Sequence, residues 1–153
     1  PNIDAVDEII KMAKIKDDFL FLIVGGVCTA FQNKELPKNI LLKGFVNDDE
    51  KNQLLSISNI ALNPMKTGSG SNLKMLDYLA SGIPIITTKI GARGLNLPSK
   101  ILIYAKPKEF IKYFDNIDYY TDAKKGKNYV IKHFDWKSIA NNLKIELQQN
   151  IND

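Results

Sequence analysis

Short apolar runs alternate with stretches of helical periodicity along most of the chain. The apolar runs predict strands at residues 19–24, 40–42, 60–62, 83–87 and 101–104. Apolar residues at helical spacing predict helices at residues 3–15, 48–58, 108–116, 122–133 and 136–150, and one more after the loop that follows residue 62. Asn2 is the expected cap of the first helix, and Asn47 or Asp48 that of the second. Strands that are apolar on both faces are typical of parallel sheets. The pattern therefore predicts an α/β fold with a Rossmann-like parallel sheet and helices on both faces.

Turn-forming segments follow four of the predicted strands. They are Gly25-Gly26, Gly44, residues 64–72 and residues 88–94. Because the carboxyl ends of parallel strands lie at one edge of a sheet, these segments are expected to gather on the same rim. Ligands of open α/β sheets bind at that rim, so the rim is the predicted ligand site.

The loop at residues 66–72, with sequence KTGSGSN, lies between a predicted strand and a predicted helix. Such a unit directs free backbone N–H groups and the positive end of a helix dipole at one point, which is typical of a phosphate site. Lys74 and Asp77 follow in the first turns of the helix. Two structural alternatives stay open. The loop could be a plain surface turn, and Lys74 and Asp77 could form an ion pair on the helix surface.

Length and composition are those of an ordinary globular domain. The chain has 153 residues, of which 44% are apolar and 25% charged, and we expect one domain over residues 1–153. The net charge of +4 is spread as single lysines among acids, so no basic stripe for nucleic acid is predicted. A mild preference for anionic ligands or a lipid surface is compatible with this charge.

The chain has one cysteine and one histidine, which limits the disulfides and metal sites that it could form. Cys28 cannot form an internal disulfide, suits a reducing compartment and is expected to be a small buried residue. Cys28 and His133 are too few to build a Cys/His metal site, so no metal is predicted. No apolar run approaches the ~20 residues of a membrane span.

Several segments resemble the C-terminal half of GT-B-fold glycosyltransferases, in particular the retaining family four. The most specific is GSGSNLKMLDYLASGIP at residues 68–84. Supporting segments are Phe45-Val46, residues 60–64, residues 91–95 and residues 134–136. The resemblance implies a domain that binds a nucleotide-diphosphate sugar as donor substrate and needs no further cofactor.

The resemblance also implies roles for individual residues. Asp77 would bind the ribose hydroxyls, and Lys74 suits the charge of the leaving diphosphate, which makes it the candidate catalytic residue. Backbone approach to the donor is the proposed role of Gly25 and Gly44, since the family places the nucleobase near the latter. The diphosphate would lie on the loop formed by Gly68, Ser69, Gly70, Ser71, Asn72 and Leu73.

The sequence departs from the family pattern in two ways. The family has an acid eight positions before the helix carboxylate, where this chain has Ser69, and the helix carboxylate itself is the shorter Asp77. In addition, Pro1-Asn2 resembles the start of the first helix, so we expect the first strand of the sheet to be missing from the chain. The acceptor-binding N-terminal domain is expected to be absent as well.

The leading hypothesis is the donor-binding domain of a retaining, hexosyl-type glycosyltransferase. Its acceptor would be a polysaccharide, another glycan or a lipid-linked glycan, reached through the missing domain. The expected location is the cytoplasm, at the inner face of a membrane, with which the protein could associate peripherally. One alternative, favoured by Ser69, is a non-catalytic nucleotide-binding or scaffold module of the same fold. Another is a nucleotide-sugar epimerase, although its acid and base residues are not evident.

Overall fold

The structure, a computed structural model, describes residues 1–69, 72–95, 97–98 and 100–152, without the side chains of residues 142, 146 and 150–152. Its strands are β1 (Phe21–Val24), β2 (Ile40–Gly44), β3 (Ala61–Asn63), β4 (Ile85–Thr87) and β5 (Ile103–Tyr104). Its α-helices are α1 (Asn2–Ala13), α2 (Asp48–Ser56), α3 (Lys74–Ser81), α4 (Ile117–Tyr120), α5 (Ala123–Phe134) and α6 (Trp136–Asn152). Two 3-10 helices span Gly26–Phe31 and Pro107–Asn116.

Each predicted strand and helix overlaps an element of the structure, although several bounds shift by one or two residues and two elements need comment. The predicted helix at 108–116 is a 3-10 helix that begins at Pro107. The predicted strand at 101–104 pairs only from Ile103. Ile101 and Leu102 are buried in the core before the strand begins, so their apolar character reflects packing and not strand pairing.

All five strands pair in parallel, in two groups. β1 pairs with β2, and β4 lies between β3 and β5. Among the described residues no strand pairing joins β1 to β3. Parallel pairing and the flanking helices confirm the predicted α/β fold class.

Helices cover both faces of the strands, as the β4 residues demonstrate. Ile86 packs in a cluster with Met12 of α1 and Phe110 of the second 3-10 helix. Its neighbour Ile85 packs in a separate cluster that contains Met75 of α3. Successive side chains of a strand point to opposite faces, so the two clusters lie on opposite sides of the sheet. Burial on both faces explains why the strands are uniformly apolar.

The structure tests the predicted helix caps and the predicted burial of Cys28. Asn47 caps α2, since its side chain accepts a hydrogen bond from the Glu50 amide at 2.8 Å. The expected Asn2 cap is wrong, because Asn2 is already helical and Pro1 precedes the helix. Cys28 is buried as expected, and its thiol donates to the Ile23 carbonyl at 3.2 Å.

The last helix leaves an apolar stripe exposed. Its members on α6 are Trp136, Ile139, Leu143 and Leu147.

None of the helices that the structure describes is long and apolar enough to cross a membrane.

Candidate functional site

The turn segments follow the carboxyl ends of the strands, where the predicted site lies. We call residues 64–73, between β3 and α3, the glycine loop, and residues 88–94, after β4, the β4 loop. Because β3 and β4 are parallel neighbours, these two loops lie side by side. Gly70 and Ser71 of the glycine loop fall outside the described residues.

Side chains connect the glycine loop to the β4 loop through Gly91. The Gly91 carbonyl accepts hydrogen bonds from Asn63 Nδ2 at 3.0 Å and from Asn72 Nδ2 at 2.8 Å. The Thr88 hydroxyl accepts from the Gly91 amide at 2.9 Å and donates to the Met65 carbonyl. The predicted loop residue Asn72 therefore uses its side chain to hold the loop in place. Its predicted diphosphate role concerns the backbone amide and stays a prediction.

Arg93 makes a second connection between the same two loops. Its Nη1 donates to the Ile90 carbonyl at 2.9 Å, and its Nη2 donates to the Ser69 carbonyl at 2.7 Å. Gly68, with φ of +138°, leaves room for the guanidinium, since a Cβ there would lie 3.2 Å from Nη2. Arg93 is not among the site residues that the sequence predicts. Its hydrogen bond to Ser69 joins residues 24 positions apart, so no local sequence pattern predicts this contact.

An ion-paired glutamate connects the start of the glycine loop to α1. Glu8 is buried, and its Oε1 accepts from Lys11 at 2.6 Å and from Lys66 at 2.8 Å. The hydrogen bonds from Lys11 and then from Lys66 lower the pKa of the Glu8 carboxyl. Lys66 is therefore ion-paired with a residue of α1.

Lys74 is the first residue of α3 and is half-buried. Its ammonium donates to Asn2 Oδ1 at 3.1 Å, and no described carboxylate lies within ion-pair distance of it. Burial lowers its pKa, which means that the charged form lacks full compensation. No side chain caps the start of α3, so the helix end and the ammonium both favour an anion there.

Asp77 turns to a different partner. Its carboxylate pairs with Lys51 of α2 at 3.2 Å, and Lys51 also pairs with Asp48 at 3.0 Å. The alternative of an ion pair between Lys74 and Asp77 is therefore not seen. Asp77 stays 44% exposed, which leaves carboxylate oxygen accessible to a ligand. Lys51 was not predicted as a site residue, because only the packing of α2 against α3 brings it to Asp77.

Gly25 and Gly44 meet at the ends of β1 and β2. The Gly25 amide donates to the Gly44 carbonyl at 2.6 Å, and both residues have positive φ, +104° and +72°. Nothing lies within 4 Å of where a side chain would begin at either residue. Beside them the Phe45 ring is 85% exposed and lies over Gly26. Phe45 was quoted for the resemblance but not predicted as a site residue.

Two cavities lie outside the glycine loop. One of about 290 Å³ adjoins the β4 loop and is lined by Lys89, Ala92, Arg93, Gly94, Leu95 and Tyr104. The other, about 610 Å³, opens at the amino ends of the strands, with Phe19, Ile60 and Pro84 in its wall. Among the described residues no group of three or more His, Cys, Asp or Glu could hold a metal ion.

Comparisons with known proteins agree with this architecture. Residues 2–117 match the sequence profile of the family described as glycosyl transferases group 1. A solved structure of HepE (Alr3699) from Anabaena, in complex with UDP and glucose, superposes with a TM-score of 0.68 at 15% sequence identity. No curated protein gives a significant sequence match.

The family match covers most of the chain, so the chain belongs to the group 1 glycosyl transferases. The superposition covers 96% of this chain and 44% of HepE, and it shows that the fold matches that of a GT-B glycosyltransferase. The chain thus spans less than half the length of this structural relative.

Proposed function

We propose that this chain is the donor-binding domain of a retaining glycosyltransferase of family four that uses a nucleotide-diphosphate sugar. The observation that carries the proposal is the start of α3. There a helix start without a side-chain cap and the half-buried Lys74 ammonium lie next to a glycine-containing loop, with no described carboxylate paired to the lysine. A diphosphate supplies the negative charge that this arrangement lacks.

Backbone amides and side chains contact different parts of the donor in this proposal. Loop amides and Lys74 bind the diphosphate, and they stabilise the charge that develops on it when the bond to the sugar breaks. The Asp77 carboxylate accepts hydrogen bonds from the ribose hydroxyls, while its ion pair with Lys51 holds it in position. The turn at Gly25 and Gly44 offers backbone surface to the nucleobase.

The larger protein would transfer a hexose to a polysaccharide, glycan or lipid-linked acceptor at the cytoplasmic face of a membrane. The HepE complex contains UDP and glucose, which supports a nucleoside diphosphate and a hexose as ligand classes. Acceptor binding would require a further domain, since this chain covers 44% of HepE.

Calorimetric titration of the protein with UDP, GDP, ADP and their glucose conjugates tests the donor site. We expect saturable binding of at least one nucleoside diphosphate and much weaker binding of its nucleoside. The matched variant Lys74→Met keeps the length of the side chain and removes the charge, so it should weaken the diphosphate and leave the nucleoside unchanged. A folded wild-type protein that binds none of these ligands refutes the proposal.

The catalytic role of Lys74 is tested in a full-length enzyme that contains this domain. Lys74→Ala should lower kcat by about 100-fold, as expected when one charge-stabilising donor is lost, and should change KM much less. A variant in which only KM rises would mean that Lys74 binds substrate without stabilising the leaving group.

A non-catalytic nucleotide-binding module of the same fold is the second candidate. It is favoured by Ser69, which occupies the position of an acid in the resembling family. Sugar transfer by the full-length protein would exclude it. Nucleotide binding without transfer, in a protein that holds both domains, would favour it.

A further inference from the structure

The guanidinium of Arg93 lies between the β4 loop and the glycine loop and bonds to both. Two of its N–H groups reach backbone carbonyls, that of Ile90 at 2.9 Å and that of Ser69 at 2.7 Å. A guanidinium is planar and presents its donors in a fixed fork, so two such bonds fix the relative position of the two carbonyls. The space for this fork exists because residue 68 is a glycine.

The hydrogen bond to Ser69 acts on a peptide unit of the predicted diphosphate loop. A hydrogen bond that holds the Ser69 carbonyl fixes the position of the described part of the loop that ends at Ser69. Farther along, the Asn72 side chain bonds to the Gly91 carbonyl of the same β4 loop at 2.8 Å. The β4 loop therefore holds the glycine loop at Ser69 and again at Asn72.

We propose that Arg93 is a positioning residue of the diphosphate site. It orients the glycine loop so that backbone amides face the phosphate oxygens, and it does so through the Ser69 carbonyl without contacting the ligand. This inference rests on the proposed function. Without the Arg93 side chain, the loop would have to become ordered when the diphosphate binds, and that ordering would lower the affinity.

A positioning role and a direct electrostatic role make different demands on the side chain. Attraction of a diphosphate needs only a positive charge near the loop, which lysine also supplies. Fixing two carbonyls needs the planar fork, which lysine lacks. Arg93→Lys and Arg93→Gln therefore separate the two roles, because the first keeps the charge and neither keeps the fork.

The experiment compares dissociation constants of wild type, Arg93→Lys, Arg93→Gln and Lys89→Met. The ligands are whichever of UDP, GDP and ADP binds the wild type most tightly, and the matching nucleoside, followed by calorimetry and NMR titration. We expect both Arg93 variants to weaken the diphosphate by about tenfold or more, the usual effect of losing one charged hydrogen bond. Their affinity for the nucleoside should stay within about twofold of wild type.

Lys89→Met is the matched control, since Lys89 lines the same cavity as Arg93 and is exposed. It should leave both affinities within about twofold of wild type. Full diphosphate affinity in Arg93→Lys with loss in Arg93→Gln would overturn the proposal in favour of direct charge attraction. An equal loss for diphosphate and nucleoside would also overturn it, because that is the mark of general destabilisation.

The wild-type titration keeps the two conclusions apart. Binding of a diphosphate by wild type that both Arg93 variants reproduce refutes the positioning role and leaves the proposed function standing. A folded wild type that binds no nucleoside diphosphate refutes both.

Discussion

The two sides of the carboxyl rim are held in different ways. On the β3–β4 side, donors of Asn63, Asn72 and Arg93 bond to backbone carbonyls of a neighbouring segment. On the β1–β2 side, the bond between the two turns is made by backbone alone, from the Gly25 amide to the Gly44 carbonyl. Open space surrounds those two glycines, whereas Gly91 is surrounded by side chains.

This difference matches what each side would have to bind. Under the proposed function a diphosphate would need amides aimed at fixed points, and hydrogen bonds between the glycine loop and the β4 loop suit that need. A nucleobase needs a flat accessible surface, which a glycine turn beside the exposed Phe45 ring supplies. The β3–β4 side should therefore be sensitive to substitutions in its packing, and the β1–β2 side should tolerate them.

The largest effect is expected from Gly91→Ala. The added Cβ would lie 2.9 Å from both Asn63 Nδ2 and the Asn63 carbonyl oxygen and would contact the Thr87 hydroxyl, so the β4 loop must move away from the ends of β3 and β4. Overpacking of this kind should lower the free energy of unfolding by about 3 kcal/mol, measured by urea denaturation. Gly94→Ala is the control in the same loop, because it has a positive φ but open space, and it should cost about 1 kcal/mol. Equal costs would show that the loops are not closely packed.

Alkaline pH tests the helix that begins at the glycine loop. Burial, reinforced by the charge of Asp77, raises the pKa of Tyr78 on α3 to about 12. The folded state favours the neutral phenol, so its stabilisation is complete below the unfolded pKa of about 10 and is lost as pH rises through 12. The free energy of unfolding should fall by about 2 to 3 kcal/mol more in wild type than in Tyr78→Phe. Parallel profiles for the two proteins would place Tyr78 in contact with solvent.

Glu8→Gln tests the connection between α1 and the glycine loop. The substitution keeps the shape of the side chain and removes the charge that both lysines contact, so stability at neutral pH should fall by about 1 kcal/mol. Since the pKa of Glu8 is lowered in the folded state, its contribution exists above the unfolded pKa of about 4.3 and disappears as pH falls through the folded pKa. Wild type and variant should therefore converge in acid.

The controls for Glu8 are its two partners. Lys66→Met breaks the bond that joins α1 to the glycine loop, whereas Lys11→Met breaks a bond within α1. Chemical shifts of glycine-loop amides should move in the Lys66 variant and stay unchanged in the Lys11 variant. The reverse pattern would show that Glu8 serves α1 alone.

The smallest effect is expected from Gly26→Ala on the β1–β2 side. The added Cβ would lie 2.7 Å from Phe45 Cζ, but this is the tip of an exposed ring that can rotate away. Stability should change by less than about 0.5 kcal/mol, as for an ordinary surface substitution. A loss as large as that of Gly91→Ala would show that the Phe45 ring is fixed and that the two sides of the rim are equally rigid.

Much of the fold followed from local pattern. The alternation of apolar runs with helical spacing was enough to predict the elements, because a strand and a helix each leave a period that any short window reveals. The 3-10 geometry of Pro107–Asn116 was missed, because the apolar residues Phe110, Ile111 and Phe114 span only a little over one turn and fit an α-helical face as well. The predicted position of the site at the rim rests on parallel pairing, which itself follows from the alternation.

The sequence by itself thus determined the order of the elements, the rim and the loop with Lys74 at its end. Tertiary structure alone decided the partners: Lys51 for Asp77, Asn2 for Lys74, and Arg93 for the Ser69 carbonyl. The physical reason is distance along the chain, since Lys74 and Asn2 are 72 positions apart and Lys66 and Glu8 are 58 apart. Periodicity records which face a residue occupies, but which charges meet across two elements depends on how those elements pack.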